Sequence, residues 1–507
     1  FRADVFGKNS ADDLEYNKDT GIDEANATAE QIMEYLMGKD NFGISSKYDG
    51  DLAYRIVVVR YAMLGNRFAR YKEVKIATDV SDKTVAYVNE HMDTLSGISV
   101  NEDMIRKYNY SEYFSSIIGY TGPISESEYT ALHKKNKDYT QNDTVGKAGM
   151  EQHYETYLRG KNGEQKFYID NVGRISEIIS STDSVAGDDL YLSIDADLQM
   201  ATYLALQNEI AAIVYSNIKS GEIPINDVYT ALIGNSVINT EHFSKAKASD
   251  TEKNVLSVFK SRQKTTLGKI KQELTSSPEA LNTMSDEVLD EFTYIISMLK
   301  DDQVLLKNEI DTSDSVYQKW KNQKISPKEY LSYCITQHWI DISQLNVDEK
   351  YADSTEVYDA LCKYILKNIK TDTEFSKIIY QYMITRGEIS PRQLCLILFD
   401  QGVLDYDDAT VNKLKNGSLS PRDFLMKKIY NIEITPAQLA LEPCTGSCVV
   451  TDEKTGEILA MVSYPGYDSN KLANGVDSEY FASLQHDKSS PLLNYATQQK
   501  TAPGSTF

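Results

Sequence analysis

The chain has 507 residues and a formal charge of -22, enough for roughly three domains at about 150 residues each and for sizeable cores. The acidity repels polyanions and no Lys/Arg cluster stands out along the chain to offset it, so nucleic acid is excluded as an expected partner. No apolar run approaches the 18 or so residues of a membrane span, and 26 Gly with 11 Pro is sparse usage that favours long regular elements and much helix.

The chain opens FRADVF, without an initiator Met or a signal peptide, and both ends read as cut, which leaves room for an anchor upstream. Residues 1–45 are polar and mixed, with a helix predicted over AEQIMEYLMG (29–38). YRIVVVRYAML (54–64) is dense in β-branched and aromatic residues and fits either a strand or a buried helix. KEVKIATDV (72–80) alternates at Val74 and Ile76 and reads as a strand. In SDKTVAYVNEHMDTL, Ser81 is the expected N-cap, Val85 and Val88 share a face, and Gly97 lies beyond the end. ISVNEDMIRKYNY (98–110) then returns to extended chain. GKAGMEQHYETYLRGKNG (146–163) has glycine turns at both ends; Met150, Tyr154 and Tyr157/Leu158 recur at helical spacing, with Gly160 as the stop. EQKFYIDNVGR (164–174) follows as strand and turn, and DLYLSID (189–195) as another strand. Asp195 or Asp197 then caps a helix through LQMATYLALQNEIAAIVYSNI.

The middle, roughly 216–433, is polar, helix-patterned and short of strand signals. ISPKEY (325–330), ISPRQL (389–394), LSPRDF (419–424) and ITPAQL (434–439) share one pattern: an apolar residue, Ser or Thr, Pro, then an acid or amide and a second apolar residue. That is a capping box with a hydrophobic staple and Pro at the first helical position, with Asp replacing Glu/Gln in the third. Their unequal intervals rule out a solenoid repeat. After Thr435, GSCVVTDEKTGEILAMVSYPGYD (446–468) reads as a hairpin of two central strands, SCVVTDE and EILAMVS, covered on both faces, with Lys454-Thr455-Gly456 in the turn. Five Cys in so long a chain form no disulfide framework. Cys444 and Cys448, four apart, could pair or bind metal, and read rather as two small residues at the start of a strand. The six His show no metal-ligand spacing.

The closing stretch KTAPGSTF places Ser505 where a helix would begin. A serine hydroxyl needs a base. A Lys three residues on shares its helical face, and desolvation lets that Lys accept the proton. This is the S-x-x-K arrangement of penicillin-binding proteins and β-lactamases; its Lys would follow Phe507.

Taken together, the sequence resembles a class B penicillin-binding protein, a peptidoglycan D,D-transpeptidase. LLNYATQQKTAPGSTF looks like that family's approach to its active-site serine, and the 446–468 hairpin like its first transpeptidase hairpin. LYLSIDADLQ looks like the start of its transpeptidase domain. VGKAGMEQHYETYLRG and IIGYTGPIS (117–125) look like motifs of its N-terminal pedestal. The resemblance covers about 54–215 and 442–507, and the motifs occur in the family's order.

It implies an α+β, multidomain fold: an elongated α/β pedestal of the dimerisation type (1–187), the start of a transpeptidase domain (188–215), an all-helical insertion (216–433), and the transpeptidase domain again from 434, cut after Ser505. It implies Ser505 as the catalytic nucleophile, which β-lactams would also acylate, and no metal or organic cofactor. The expected partners are peptidoglycan stem peptides, β-lactam antibiotics, a lipid-II polymerase and other cell-wall synthesis proteins. The membrane would be reached through an anchor outside this chain, with the protein on the extracytoplasmic face of a bacterial cell membrane. Three departures stand beside it. The family's Lys, S-x-N and K-T-G motifs are not in this stretch, which is therefore expected to be inactive by itself. Lys454-Thr455-Gly456 spells K-T-G but precedes Ser505. Residues 216–433 stand where the family needs only a short link. A non-catalytic scaffold of the wall-synthesis machinery and a β-lactam sensor are the alternative readings. The insertion reads as a surface elaboration or as a partner-binding domain.

Overall fold

A computed structural model of the chain describes residues 2–8, 10, 13–17, 20–48, 50–65, 74–95, 97–100, 105–141, 143–169, 175–276, 279–345, 347 and 353–500. Contacts divide the chain into two compact units, Phe1–Ile105 with Thr156–Asp189, and Arg106–Glu155 with Leu190–Phe507.

In the first unit, α1 (Arg2–Phe6) precedes a short antiparallel pair, β1 (Tyr16–Asn17) and β2 (Ile22–Asp23). α2 (Ala29–Met37) starts where the sequence predicts, because Thr28 and Gln31 cap each other's backbone reciprocally. YRIVVVRYAML resolves as helix, α3 (Gly50–Gly65). It is not a buried one: Val57 enters a small core with Val5, Phe6, Ile32 and Leu36, while Tyr54, Val58 and Met63 are exposed. α4 (Asp82–Glu90) begins at Ser81, whose hydroxyl accepts from Thr84 N, and Val85 and Val88 are both half-buried. The strand expected over 72–80 does not form: described residues 74–80 join no ladder, and Ile76 is 60% exposed. Alternation alone does not make a strand when no neighbouring strand takes up its backbone groups. Residues 72–73 of that stretch, and 101–104 of the next, lie outside the described residues.

The second unit takes up the chain with α5 (Ser111–Ile118), β3 (Thr121–Pro123), α6 (Glu126–Lys135) and β4 (Thr144–Gly146), β3 pairing antiparallel with β4. The helix expected within 146–163 breaks at Tyr154 into α7 (Gly149–His153) and α8 (Glu155–Leu158), and Gly160 follows with φ +71. The buried residues of this stretch are not its apolar ones but Glu151 and Glu155. Back in the first unit, β5 (Glu164–Ile169) and β6 (Ile175–Thr182) form an antiparallel hairpin whose turn, 170–174, lies outside the described residues.

DLYLSID is not a strand either. Tyr191 is 88% exposed, and only the end of the segment reaches the later hairpin, through Ser193 Oγ to Ile458 O (2.8 Å) and Asp195 N to Leu459 O (2.9 Å). Asp195 then caps α9 (Ala196–Ser220), accepting from Leu198 N at 2.8 Å. α9 serves two cores. Its first half packs Tyr203 and Ile210 against Val462 and Tyr464. Its last turns deliver Val214 and Ile218 into the large core of the helical insertion.

That insertion comprises α10 (Ile225–Gly234), α11 (Asp250–Thr275), α12 (Asp286–Asp301), α13 (Ser315–Lys321) and α14 (Pro327–Thr336). It continues through α15 (Ser354–Ile369), α16 (Thr373–Thr385), α17 (Pro391–Asp400), α18 (Asp408–Asn416) and α19 (Pro421–Tyr430), and the short α20 (Pro436–Leu439) follows it. All four Ser/Thr-Pro signals start helices, and each hydroxyl accepts the backbone N–H three residues on. The box is reciprocal at Ser390/Gln393 and Thr435/Gln438; at Ser326 only the hydroxyl half forms. The staple is present at the first, second and fourth, where Ile325, Ile389 and Ile434 are buried with Tyr330, Leu394 and Leu439.

Beyond it, β7 (Gly446–Thr451) pairs antiparallel with β8 (Ile458–Tyr464), and α21 (Ser478–His486) follows. The hairpin is as expected, but cover on both faces is not. β7 alternates, with Val449 48% exposed, because α9 covers one face, whereas β8 is largely buried.

Candidate active site

Ser505 lies in 501–507, outside the described residues. The segment leading to it, 488–500, is held from two sides. At the end of β8, buried Ser463 accepts from Tyr495 N at 2.9 Å and donates to Leu493 O at 3.3 Å, while Tyr495 OH donates to Ser489 O at 2.7 Å. Between these sits Asn494. Its side-chain amide donates to Ser116 O of α5 at 3.0 Å, its Oδ1 accepts from Ala496 N at 3.1 Å, and its carbonyl accepts from Gln498 N at 2.8 Å. Asparagine supplies both halves of this arrangement, a turn-closing acceptor and a donor to a neighbouring element.

α5 is the platform. Its sequence SEYFSSII presents small hydroxyls where YPGYD (464–468) crosses it. Ser115 Oγ accepts from Tyr467 N (3.1 Å), Ser115 O accepts from Tyr467 OH (3.2 Å), and Ser111 Oγ accepts from Ser469 N (2.6 Å). Tyr203 OH accepts from Gly466 N at 3.1 Å and donates to Glu112 Oε1 at 3.4 Å. Only glycine fits at 466, since a Cβ there would stand 1.9 Å from Glu112 O. Gln199, fully buried, closes the joint: its amide donates to Tyr113 O (2.9 Å) and Met461 O (3.1 Å), and its Oε1 accepts from Met461 N (2.8 Å). Burial raises the Tyr203 and Tyr467 phenols well above their ordinary value, so both stay neutral donors.

Beneath α5 the glycine motifs bring backbones together around two acids. A Cβ on Gly119 would stand 2.0 Å from Ala148 O, and one on Gly146 would stand 2.1 Å from the Glu151 carbonyl. Glu151 accepts from Arg106 Nε (2.9 Å) and Tyr108 OH (3.2 Å), and Glu155 accepts from Gly146 N (2.7 Å). Tyr108 OH in turn accepts from Thr121 N at 3.1 Å, and burial, with Glu151 beside it, pushes the phenol up to about 12. Each acid thus has the partners that a buried carboxylate requires. Burial would raise Glu128, but Lys147 at 2.5 Å and the Ser125 N–H hold it below its ordinary value.

Lys454-Thr455-Gly456 occupies the β7–β8 turn, where Asp452 Oδ1 accepts from Lys454 N (2.7 Å) and Thr455 N (2.8 Å) and Gly456 takes φ +74. Cys444 is buried, and desolvation with Glu442 nearby pushes its thiol up to about 11; Cys448 is half-buried on β7. Among the described residues, no group of three or more His, Cys, Asp or Glu could hold a metal ion, and no helix is long and apolar enough to cross a membrane.

The supporting residues Glu151, Glu155, Gln199, Ser463 and Asn494 are absent from the sequence reading. A signal existed for the two acids. They lie four apart, each one residue on from Met150 and Tyr154 and so on an adjoining helical face. Gln199 and Asn494 carry no local signal, because their partners lie hundreds of residues away.

Two family descriptions match the chain: Penicillin-binding Protein dimerisation domain over residues 8–192, and Penicillin binding protein transpeptidase domain over 446–507. Among similar curated proteins, Peptidoglycan D,D-transpeptidase MrdA of Salmonella typhimurium (strain LT2) is 28% identical over 157 residues, 31% of this chain and 25% of that protein. Penicillin-binding protein 2A of Bacillus subtilis (strain 168) is 33% identical over 136 residues, 26% of this chain and 19% of that protein. MrdA of Acinetobacter baumannii is 30% identical over 152 residues, covering 30% of this chain and 22% of that protein. The matched stretch thus spans a quarter or less of the length of these relatives. The two domain matches flank the helical insertion in the order that the motifs predict, and with these relatives they make the chain a class B penicillin-binding protein.

Proposed function

We propose that the protein to which this chain belongs is a serine D,D-transpeptidase that cross-links peptidoglycan stem peptides. In the proposed reaction, Ser505 Oγ attacks the penultimate D-Ala carbonyl. Its proton passes to the Lys that the family places three residues on, the terminal D-Ala leaves as an amine, and an ester acyl-enzyme forms. An amine of a neighbouring strand then takes the acyl group, forming the cross-link and freeing the serine. A β-lactam acylates the same oxygen by opening its own amide. The observation that carries this reading is the transpeptidase-domain match over residues 446–507, a stretch that ends in PGSTF and contains Ser505. The clamped approach from β8 and α5 supports it, since a nucleophile needs a rigid mount.

On this reading residues 1–187 serve as pedestal, 188–215 and 434–507 belong to the transpeptidase domain, and 216–433 are inserted. A lipid-II polymerase and other wall-synthesis proteins are the proposed partners, reached from an anchor in the membrane on its extracytoplasmic face. The test is labelling with a fluorescent penicillin, mapped by peptide mass spectrometry. A protein carrying this chain followed by the family's Lys and downstream motifs should be labelled at Ser505, and the 507-residue chain alone should not. Failure of the longer protein to label, or label elsewhere, would sink the assignment of Ser505. Labelling of the 507-residue chain would refute its proposed inactivity.

A further inference from the structure

α11 carries the sequence KNVLSVFKSRQKTTLGKIKQ over residues 253–272, with six cations and no acid, in a chain of formal charge -22. Spread along twenty positions, these cations do not read as a cluster. The helix makes them one. At about 100° per residue, Lys253, Lys260, Lys264 and Lys271 fall within roughly 40° of one another, and at about 1.5 Å per residue they form a line some 27 Å long. All four are exposed. The opposite side of α11 is fixed in the core by Val255, Phe259, Ile270 and Leu274, so the line is held outward. Arg262 is turned inward to Glu287 and Glu388. None of the four lysines meets a carboxylate among the described residues, whereas other lysines of this protein do, such as Lys147 with Glu128 and Lys377 with Glu374.

We propose that this lysine line on α11 is a docking surface for a linear phosphodiester polyanion without bases, since the helix exposes no aromatic side chain on which a base could stack. Charge complementarity requires an anionic partner, and the composition of the face selects among anions. The other exposed residues of α11 are Asp250, Asn254, Ser257, Ser261, Thr265, Gly268, Lys269, Gln272 and Thr275, of which only Asp250 is acidic and none is apolar or aromatic. A protein interface would be expected to offer aromatic or Arg anchors. A membrane-surface helix would be expected to offer an apolar face beside its charges. A row of ammonium groups on flexible stems meets phosphates as point charges, without bidentate geometry. Steps of seven, four and seven residues place the charges about 10, 6 and 10 Å apart, a spacing that an extended chain of phosphates can follow. The insertion lies between the two family matches, and the inference stands whether or not the transpeptidase reading holds.

The test uses the whole chain and poly(glycerol phosphate) long enough to span the line, with binding read by calorimetry or fluorescence between about 50 and 200 mM salt. The parent should bind with log K falling linearly in log salt. Changing Lys253, Lys260, Lys264 and Lys271 together to Gln should weaken binding at least tenfold and flatten that slope by about 3, at roughly 0.7–0.9 per phosphate contact. A control changing Lys307, Lys319, Lys321 and Lys324 to Gln removes the same charge from elsewhere in the insertion and should bind as the parent does. The pair Lys260→Gln with Lys264→Gln should give an intermediate loss if the fourfold variant does not fold. No binding by the parent at the lower salt, or an equal loss in the control, overturns the proposal. So does capture by phosphatidylglycerol vesicles without binding to the polymer, which would assign the face to a membrane.

Discussion

Glu291 shows what one residue does when a core closes over it. It sits on α12 with 1% exposure, and its Oε1 has no hydrogen-bond partner among the described residues. Burial first, and then Glu287 one turn away, raise its pKa from 4.5 to about 8, against the opposing pull of Lys269 and Arg262. The folded protein therefore holds a proton at neutral pH that the unfolded chain releases. With a raised folded value, the stabilising contribution is complete below about 4.5 and is lost as pH rises through about 8. Urea unfolding of the whole chain should show stability declining across this window, and Glu291→Gln should remove that part of the decline; an unchanged pH profile in the variant would contradict the burial argument. The site depends on the same kind of residue. Gln199 and Asn494 are ordinary polar letters in the sequence, and only the folded chain brings Met461 O, Tyr113 O and Ser116 O to their amides.

At the scale of elements, helix starts were the most legible feature and strands the least. Thr28, Ser81, Asp195, Ser326, Ser390, Ser420 and Thr435 all cap as expected or as their local pattern allows, because a cap closes within three or four residues of chain. Ser390→Ala removes a hydroxyl that serves Gln393 N within a reciprocal box. It should lower stability by about 1 kcal/mol, read as a shift of the urea midpoint at constant slope. A loss within error would mean that packing of Ile389 and Leu394, not the cap, starts α17. Strands need partners that a local pattern cannot name. Residues 74–80 and 189–195 alternate acceptably, yet no ladder takes them up among the described residues, whereas the 446–464 hairpin carries its own partner across one short turn and forms. The Lys454-Thr455-Gly456 triplet is likewise decided locally, by Asp452 and the left-handed Gly456.

For the whole molecule, α9 decides how separable the insertion is. It enters as the helix packed on β8 and leaves as a strut of the insertion's core, where Val214 and Ile218 are almost fully buried. Deleting about 222–433 and rejoining the chain should therefore expose these two side chains and cause association. The same deletion with Val214→Glu and Ile218→Lys should run as a monodisperse species on gel filtration. In the longer protein it should keep penicillin labelling at Ser505; loss of labelling would show that the insertion supports the site and is not merely carried by it. The order of parts was legible from the sequence, since the glycine motifs, the hairpin and PGSTF each announce themselves within a few residues. What holds the approach to Ser505 was not, because it depends on contacts between residues 106–155 and 460–495 that no local pattern encodes. The caps, the turns, the helical character of the insertion and the identity of the family follow from short runs of residues. Which polar side chains are buried and partnered, which alternating segments become strands, and which lysines fall into one line follow from the folded chain alone. The first set rests on interactions within one or two turns of chain, the second on groups that only a closed core brings within hydrogen-bonding or van der Waals distance.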